Sequence, residues 1–165
     1  MNLQMIFDMQ KALDEKINLK RKTNHPNLTH KEIEIQKNLA LIVEAGEFVN
    51  EVQSFKYWKM NKNIDQSAIK EEFADLLHFL VTFGYEHKVD SYIEPKIVSN
   101  DINVQFQELF VAIAKLMQEI NHDHIKHIFE IALGSFVMLG YDYGDLFEAY
   151  FFKNQKNYQR LKNNY

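Results

Sequence analysis

Two pairs of acidic residues lie on two successive stretches of helical periodicity between residues 44 and 75. Glu44 and Glu47 form the first pair, and Glu72 and Asp75 form the second. Residues three apart share a face of a helix, so each pair directs its carboxylates to one side. Apolar residues flank both pairs, and neither pair contains a lysine or an arginine. We therefore expect the two helices to pack along these faces, with the carboxylates between them.

Converging carboxylates without a basic partner are typical of a site for a hard divalent cation. Mg²⁺ and Mn²⁺ prefer carboxylate oxygens as ligands, so the two pairs are candidate metal ligands. The alternative is that both pairs are ordinary surface charge on amphipathic helices, which is the commoner role of this spacing. The spacing alone leaves both interpretations open.

Composition restricts the class of protein further. The 165 residues are 46% hydrophobic and 25% charged, which is typical of a soluble globular protein, and one domain over residues 1–165 is expected. The net charge of −4 argues against a nucleic-acid-binding surface. The absence of cysteine excludes disulfides, thiol catalysis and cysteine-based zinc sites. Because we find no signal pattern and no apolar run near the about 20 residues of a membrane span, we expect a cytoplasmic protein without membrane contact.

Helical spacing of apolar residues, with only two prolines and five glycines, predicts an all-α antiparallel bundle of about six helices. The predicted helices cover about residues 3–20, 29–59, 65–87, 101–120, 123–139 and 144–162. The core positions predicted in the fourth helix are Val104, Leu109, Val111, Ile113 and Leu116. Gly46, in the middle of the second helix, should cost about 1 kcal/mol relative to alanine. Close packing against another helix is the preferred explanation for Gly46, and close approach of a ligand is the alternative.

The last predicted helix carries five polar side chains within an arc of roughly 120°. They are Tyr150, Lys153, Asn154, Asn157 and Arg160. Lysine and arginine supply charge for phosphates, and arginine can bind two oxygens at once. A face of cations and amides, together with an acidic metal site, is what a metal–polyphosphate substrate requires. The alternative is the ordinary polar face of a surface helix.

Taken together, these motifs resemble those of the dimeric all-α dUTPases, which are related to the MazG-like nucleoside triphosphate pyrophosphatases. The matching segments are E-A-G-E at 44–47, F-K-Y-W-K at 55–59, E-F-A-D-L-L-H-F at 72–79, Y-F-F-K-N-Q-K-N-Y-Q-R at 150–160 and Q-K-A-L at 10–13. The acidic pairs are shared by the wider superfamily, whereas the segments at 55–59 and 150–160 are more particular to this family. Two positions depart from the family pattern: Asp14 stands where asparagine is frequent, and Leu161 stands where glutamine is frequent.

The resemblance implies Mg²⁺-dependent hydrolysis of dUTP to dUMP and pyrophosphate, with attack at the β-phosphorus, and leaves the use of dUDP open. The four acidic residues of the two pairs would bind two or more Mg²⁺, replaceable by Mn²⁺. Glu47 is preferred to Glu44 as the general base. Lys153 and Arg160 would balance phosphate charge, and Gln10 would read uracil. The further candidates for substrate binding are Lys56, Trp58, Lys59, Tyr150, Asn154 and Asn157, with core packing as the commoner role for a tryptophan such as Trp58.

Two other functions remain open. A sister enzyme of the same fold would act on dCTP or on modified nucleotides, and a non-catalytic helical module would serve dimerisation or regulation. A homodimer is predicted from the resemblance and from the aromatic residues of the last two helices, which exceed what one small bundle needs to bury. These residues are Phe129, Phe136, Phe147, Phe151 and Phe152.

The histidines are not predicted to be metal ligands. Mg²⁺ seldom takes imidazole, so His78, three residues after Asp75, is expected to be structural or to support a ligand. The spacing of His122, His124 and His127 would suit a softer metal, but their place at a helix start predicts a solvated region.

Overall fold

The computed structural model describes residues 1–163, and over that range the protein forms six α-helices. They are α1 (Gln4–Asn24), α2 (His30–Val52), α3 (Gln66–Glu86), α4 (Ile102–Gln118), α5 (His122–Met138) and α6 (Tyr143–Lys162). The prediction of an all-α helical bundle is confirmed. The domain predicted over residues 1–165 extends to residues 164 and 165, which lie outside the described range. Within residues 1–163, no helix combines the length and the apolar character needed to cross a membrane.

Polar side chains define where the helices begin. Thr29 and Glu32 form the predicted capping box, in which each side chain bonds to the backbone of the other residue. Asp65 accepts hydrogen bonds from the first backbone N–H groups of α3 and so acts as its N-cap. Because these caps satisfy donors that a helix terminus leaves unpaired, the starts of α2 and α3 agree with the sequence to within about a residue.

The predicted extension of α2 to Lys59 is wrong, because the helix ends at Val52. Gln53 adopts the left-handed conformation with φ of 57°, which ends the helical path. Its buried side-chain amide then donates to the carbonyl of Asn63 at 3.1 Å. Residues 53–65 are therefore an irregular segment that is tied to the end of α2.

Helix α3 occupies the centre of the bundle and packs against α1, α2, α5 and α6. Phe73 joins three helices, since its ring lies 5.0 Å from that of Phe48 on α2 and 4.2 Å from that of Phe136 on α5. Eleven residues of α3 are buried, which leaves little of its surface free. The acidic residues that α3 carries are therefore held on the central helix of the fold.

Helix α4 shows where the core prediction fails. Leu109, Ile113 and Leu116 are fully buried, as predicted. Val104 and Val111 are 43% and 45% exposed, so their assignment to the core is wrong. These two valines are seven residues apart and share the outer face of the helix, because seven residues make nearly two complete turns.

Two of the helical glycines, Gly46 and Gly134, differ in what surrounds them. A Cβ built on Gly46 meets nothing within 4 Å, so the close packing predicted for this residue is wrong. A Cβ on Gly134 would lie 2.0 Å from the carbonyl oxygen of Lys96, which belongs to the connection between α3 and α4. That connection is held against α5 by Gln105, whose side-chain amide donates to the carbonyls of Lys96 and Ile131. Gly134 therefore permits a backbone contact that a side chain would prevent.

We predict opposite stability changes for alanine at these two glycines. Gly46→Ala should raise the free energy of unfolding by about 0.5–1 kcal/mol, because alanine favours the helix and meets no neighbour. Gly134→Ala should lower it by about 2–3 kcal/mol through overpacking against backbone. Urea unfolding of the two variants measures both effects. Equal changes in the two variants would contradict the assignment of Gly134 to a close contact.

Candidate active site

A cavity of about 550 Å³ lies between α1, α2, α3 and α6. Its lining includes Gln10 and Asp14 of α1, Glu44 of α2, Asp75 of α3 and Arg160 of α6. Apolar side chains form much of the remaining wall. The cavity lining therefore combines acidic, apolar and uncharged polar groups, which is the usual character of a small-molecule site.

Three of the four predicted metal ligands converge, and two of them, Glu44 and Asp75, line this cavity. One carboxylate oxygen from each of Glu44, Glu72 and Asp75 lies within 4.8 Å of the others. Glu47 is not a member of this group, and its side chain is exposed. An all-carboxylate donor set fits a hard divalent cation such as Mg²⁺ or Mn²⁺.

Burial and mutual repulsion raise the pKa values of these carboxyl groups. The pKa of Glu44 rises to about 7, first because of burial and then because of the charges of Asp75, Glu47 and Glu72. The pKa values of Glu72 and Asp75 are also raised, chiefly by burial. Such shifts mean that the protein does not fully compensate the negative charge of the cluster, and a bound cation would do so.

Lys153 supplies part of the positive charge that offsets the acidic cluster, and the sequence did not predict this contact. Its buried ammonium group forms an ion pair with Asp75 and lies 2.8 Å from Glu71. The expectation of carboxylates without a basic partner is therefore wrong for Asp75. Lys153 and Lys156 together lower the pKa of Glu71 to about 2. Because Lys153 lies 78 residues beyond Asp75 in the chain, the local sequence around the acidic pairs could not show this contact.

Gln10 lies on the cavity wall with its amide group fully engaged. Its Oε1 accepts hydrogen bonds from the hydroxyl of Tyr150 and from Nδ1 of His78. Its Nε2 donates to Asp14 at 2.9 Å and to Thr82 at 3.2 Å. Gln10 therefore lines the same cavity as Glu44 and Asp75, but all its polar atoms have protein partners.

The polar face predicted on α6 is divided between the cavity and the interior. Asn157 and Arg160 line the cavity, and Nη1 of Arg160 donates to Oδ1 of Asn157 at 3.4 Å. Tyr150 and Asn154 are buried, and the Tyr150 ring stacks on His78 at 4.4 Å. Of the five predicted residues, the structure thus brings two to the cavity surface, while Lys153 reaches it through Asp75.

The predicted residues of the 55–59 segment are not among those lining the cavity. Lys56 and Lys59 bond to the end of α2, through the carbonyl of Asn50 and the side chain of Gln53. Trp58 is 60% exposed, so core packing is not its role. A part for this segment in substrate binding would require it to move towards the cavity.

Several cavity residues were missed by the sequence analysis, among them Asn18, Arg21, Lys37 and Thr82. Nε of Arg21 donates to Asn18 at 3.3 Å, and Lys37 pairs with Glu86 at 2.6 Å. They belong to no motif, and only their spacing along the inner faces of α1, α2 and α3 could have indicated them.

The four histidines singled out in the sequence each contact other protein groups. His78 contacts Gln10 and Tyr150, not the carboxylate cluster. His122, His124 and His127 have separate partners, namely Asp123, the Glu119 carbonyl and Glu108. Among residues 1–163, the acidic cluster is the one group of acidic or histidine side chains arranged to hold a metal ion.

Comparison with known proteins gives one family match. A family model described as dUTPase matches residues 2–165. No curated protein matches the chain. The family match covers both acidic helices, the polar face of α6 and the whole cavity.

We predict that the stability of the metal-free protein falls as the pH rises towards 7. The folded-state pKa of Glu44, about 7, exceeds its ordinary value of 4.5, so the folded protein binds this proton more tightly than the unfolded chain does. Stability should therefore decrease from about pH 4.5 to 7 and then become level, with a change of about 1–2 kcal/mol after allowance for solvent screening. Urea unfolding in a chelating buffer measures this profile.

Glu44→Gln should flatten that profile, since glutamine does not titrate. Glu15→Gln is the matched control, because Glu15 is an exposed residue of α1 outside the cavity. Identical pH profiles for the wild type and Glu44→Gln would contradict the crowding of these carboxylates.

Proposed function

The chain belongs to the dUTPase family, and from this membership and the carboxylate cluster we propose that it hydrolyses dUTP to dUMP and pyrophosphate with a requirement for Mg²⁺. The observation that carries the proposal is the convergence of Glu44, Glu72 and Asp75, of which Glu44 and Asp75 line a cavity of about 550 Å³. We further propose that the chain acts as a single domain in the cytoplasm, where free nucleotides are found.

The proposed metal ligands are the three converging carboxylates together with Glu47. They would hold two or more Mg²⁺, with Mn²⁺ as a substitute, because the donor atoms are all carboxylate oxygens. When bound, the metal neutralises phosphate charge and lowers the pKa of water. The raised pKa values of Glu44, Glu72 and Asp75 support this assignment. Part of each increase comes from repulsion by neighbouring carboxylates, and a bound cation would reduce that repulsion.

Glu47 is the proposed general base. It lies one helical turn from Glu44 on the same face of α2. Its side chain is exposed and stands outside the close group of three, so its carboxylate is accessible to water. It would accept a proton from the attacking water, with Glu44 as the alternative base.

Cations and amides of α6 are proposed to bind the phosphates. Arg160 and Asn157 already line the cavity beside Asp75. Lys153 pairs with Asp75. If Asp75 bound a metal ion instead, the ammonium group of Lys153 would be available to a phosphate oxygen. Charge-assisted hydrogen bonds of this kind hold phosphates more strongly than neutral ones.

The 55–59 segment is proposed to close over the bound nucleotide. Its exposed aromatic and basic side chains, Trp58, Lys56 and Lys59, suit contact with a sugar or base and with phosphate. The segment is held to α2 by a few side-chain hydrogen bonds, so movement would disrupt little of the core.

We predict that Asp75→Asn abolishes Mg²⁺-dependent turnover. Release of dUMP and pyrophosphate from dUTP should fall by about 100-fold or more, because a ligand is lost while the shape is kept. Burial raises the pKa of Asp75 despite Lys153, so the neutral variant should be at least as stable without metal. Mg²⁺ should raise the melting temperature of the wild type and have little effect on the variant.

Asp8→Asn is the matched control, because Asp8 is an exposed residue of α1 that bonds only to Gln4 within the described residues. It should retain both turnover and the response to Mg²⁺. Full activity in Asp75→Asn would remove the metal site from the proposal. A lack of pyrophosphate release from every nucleotide tested would instead favour the non-catalytic helical module.

We also propose a homodimer, although part of the sequence argument for it was wrong. Phe129 and Phe136 are fully buried within one chain, so they are not available to a partner. Phe151 and Phe152 are 42% and 63% exposed on α6. Analytical ultracentrifugation at micromolar concentration should show a dimer, and Phe152→Ser should shift the protein towards monomer. A monomeric wild type would contradict the proposal.

A further inference from the structure

Four polar side chains of α1 and α3 form one wall of the cavity, and we call them the polar wall. They are Gln10, Asp14, His78 and Thr82, all buried and all in contact with the cavity. Tyr85 and Tyr150 support the wall with their hydroxyl groups without lining the cavity. These six side chains form a connected hydrogen-bond network, so the orientation of one group constrains the next.

Asp14 sets the direction of the hydrogen bonds around Gln10. A carboxylate can only accept, so the amide nitrogen of Gln10 must face Asp14, at 2.9 Å. The carbonyl oxygen of Gln10 then faces Tyr150 and His78, and both of them must donate. His78 is therefore protonated at Nδ1, and burial lowers its pKa to about 3, which leaves Nε2 an unprotonated acceptor.

The donors of the polar wall are all used within the protein. The hydroxyls of Thr82 and Tyr85 donate to Oδ2 of Asp14 at 2.6 and 2.8 Å. Both N–H bonds of Gln10 are directed at Asp14 and Thr82. Lone pairs on Asp14 and Thr82 remain for a ligand, whereas Nε2 of His78, which has no hydrogen-bond partner among the described residues, is enclosed by the protein. The wall can therefore offer a ligand acceptors, but no donor.

We propose that the polar wall reads the base of the nucleotide, and that the acceptor-only polarity imposed by Asp14 admits a 4-aminopyrimidine, dCTP, beside dUTP. The inference rests on the proposed nucleotide hydrolysis. Cytosine carries an amino group at C4 that donates two hydrogen bonds, whereas uracil carries a carbonyl oxygen there and has its one ring donor at N3. Opposite a wall of acceptors, the amino group of cytosine is paired and its N3 is not, whereas the N3–H of uracil is paired and its C4 carbonyl is not. Each base therefore leaves one polar group unpaired, so the wall does not exclude cytosine in the way that a donor opposite C4 would.

Asparagine at position 14 would remove this constraint. Its amide can present either an oxygen or a nitrogen to Gln10, so the Gln10 amide could turn and His78 could exchange its tautomer. The wall would then be able to offer a donor to the C4 carbonyl of uracil. Asp14→Asn should therefore shift preference away from dCTP and towards dUTP.

The test compares kcat/KM for dCTP and dUTP with Mg²⁺ in the wild type, in Asp14→Asn and in the control Asp8→Asn. We expect the wild-type values for the two nucleotides to lie within about tenfold of each other. The ratio of dCTP to dUTP should fall at least about tenfold in Asp14→Asn and should stay within about twofold in Asp8→Asn. Use of dCTP by the wild type at less than about a tenth of dUTP, or an unchanged ratio in a folded Asp14→Asn, would overturn the proposal.

A titration of dCMP and dUMP into the metal-free wild type separates this proposal from the proposed catalysis. Tighter or equal binding of dCMP supports the acceptor-only wall, and selective binding of dUMP overturns it. If neither triphosphate is hydrolysed, the proposed function is wrong, and this titration still tests whether the polar wall binds the two bases as proposed. The wild-type measurements suffice if the melting temperature shows that Asp14→Asn does not fold.

Discussion

Repulsion among carboxylates in the seam between α2 and α3 is the constraint around which the bundle is arranged. Burial and mutual repulsion raise the pKa of Glu44 to about 7, so the charged cluster is unfavourable without a cation. Apolar contacts of the same two helices offset this cost, with Phe48 and Phe73 packed 5.0 Å apart in the core. The fold thus places stable packing beside an unstable cluster, which is the usual relation between a binding site and the core that supports it.

Helix α6 connects the two ends of the candidate site. Tyr150 and Lys153 are three residues apart and share a face, yet they have different partners. Tyr150 donates to Gln10 of the polar wall, and Lys153 pairs with Asp75 of the acidic cluster. Because one helix carries both contacts, a shift of α6 would change the surroundings of the polar wall and of the acidic cluster together.

Local patterns were sufficient for most of the fold. The capping box at Thr29 and the N-cap at Asp65 depend on neighbours within three residues, so the starts of α2 and α3 were predicted well. The end of α2 depends on the left-handed conformation of Gln53, and no glycine or proline near this position indicates in the sequence that the helix ends there. The exposure of Val111 and Trp58 was also not predicted. Apolar character shows that a side chain can be buried, but it does not show whether another part of the chain covers it.

By itself, the sequence determined that Glu44 shares a face with Glu47, that Glu72 shares a face with Asp75, and that α6 has a polar side. These are consequences of helical pitch, which acts over three or four residues. Only the tertiary structure decided that Glu47 stands apart, that Lys153 pairs with Asp75, and that Asp14 orients Gln10 and His78. His78 meets Gln10 across 68 residues of chain, and such a contact depends on how whole helices pack against one another.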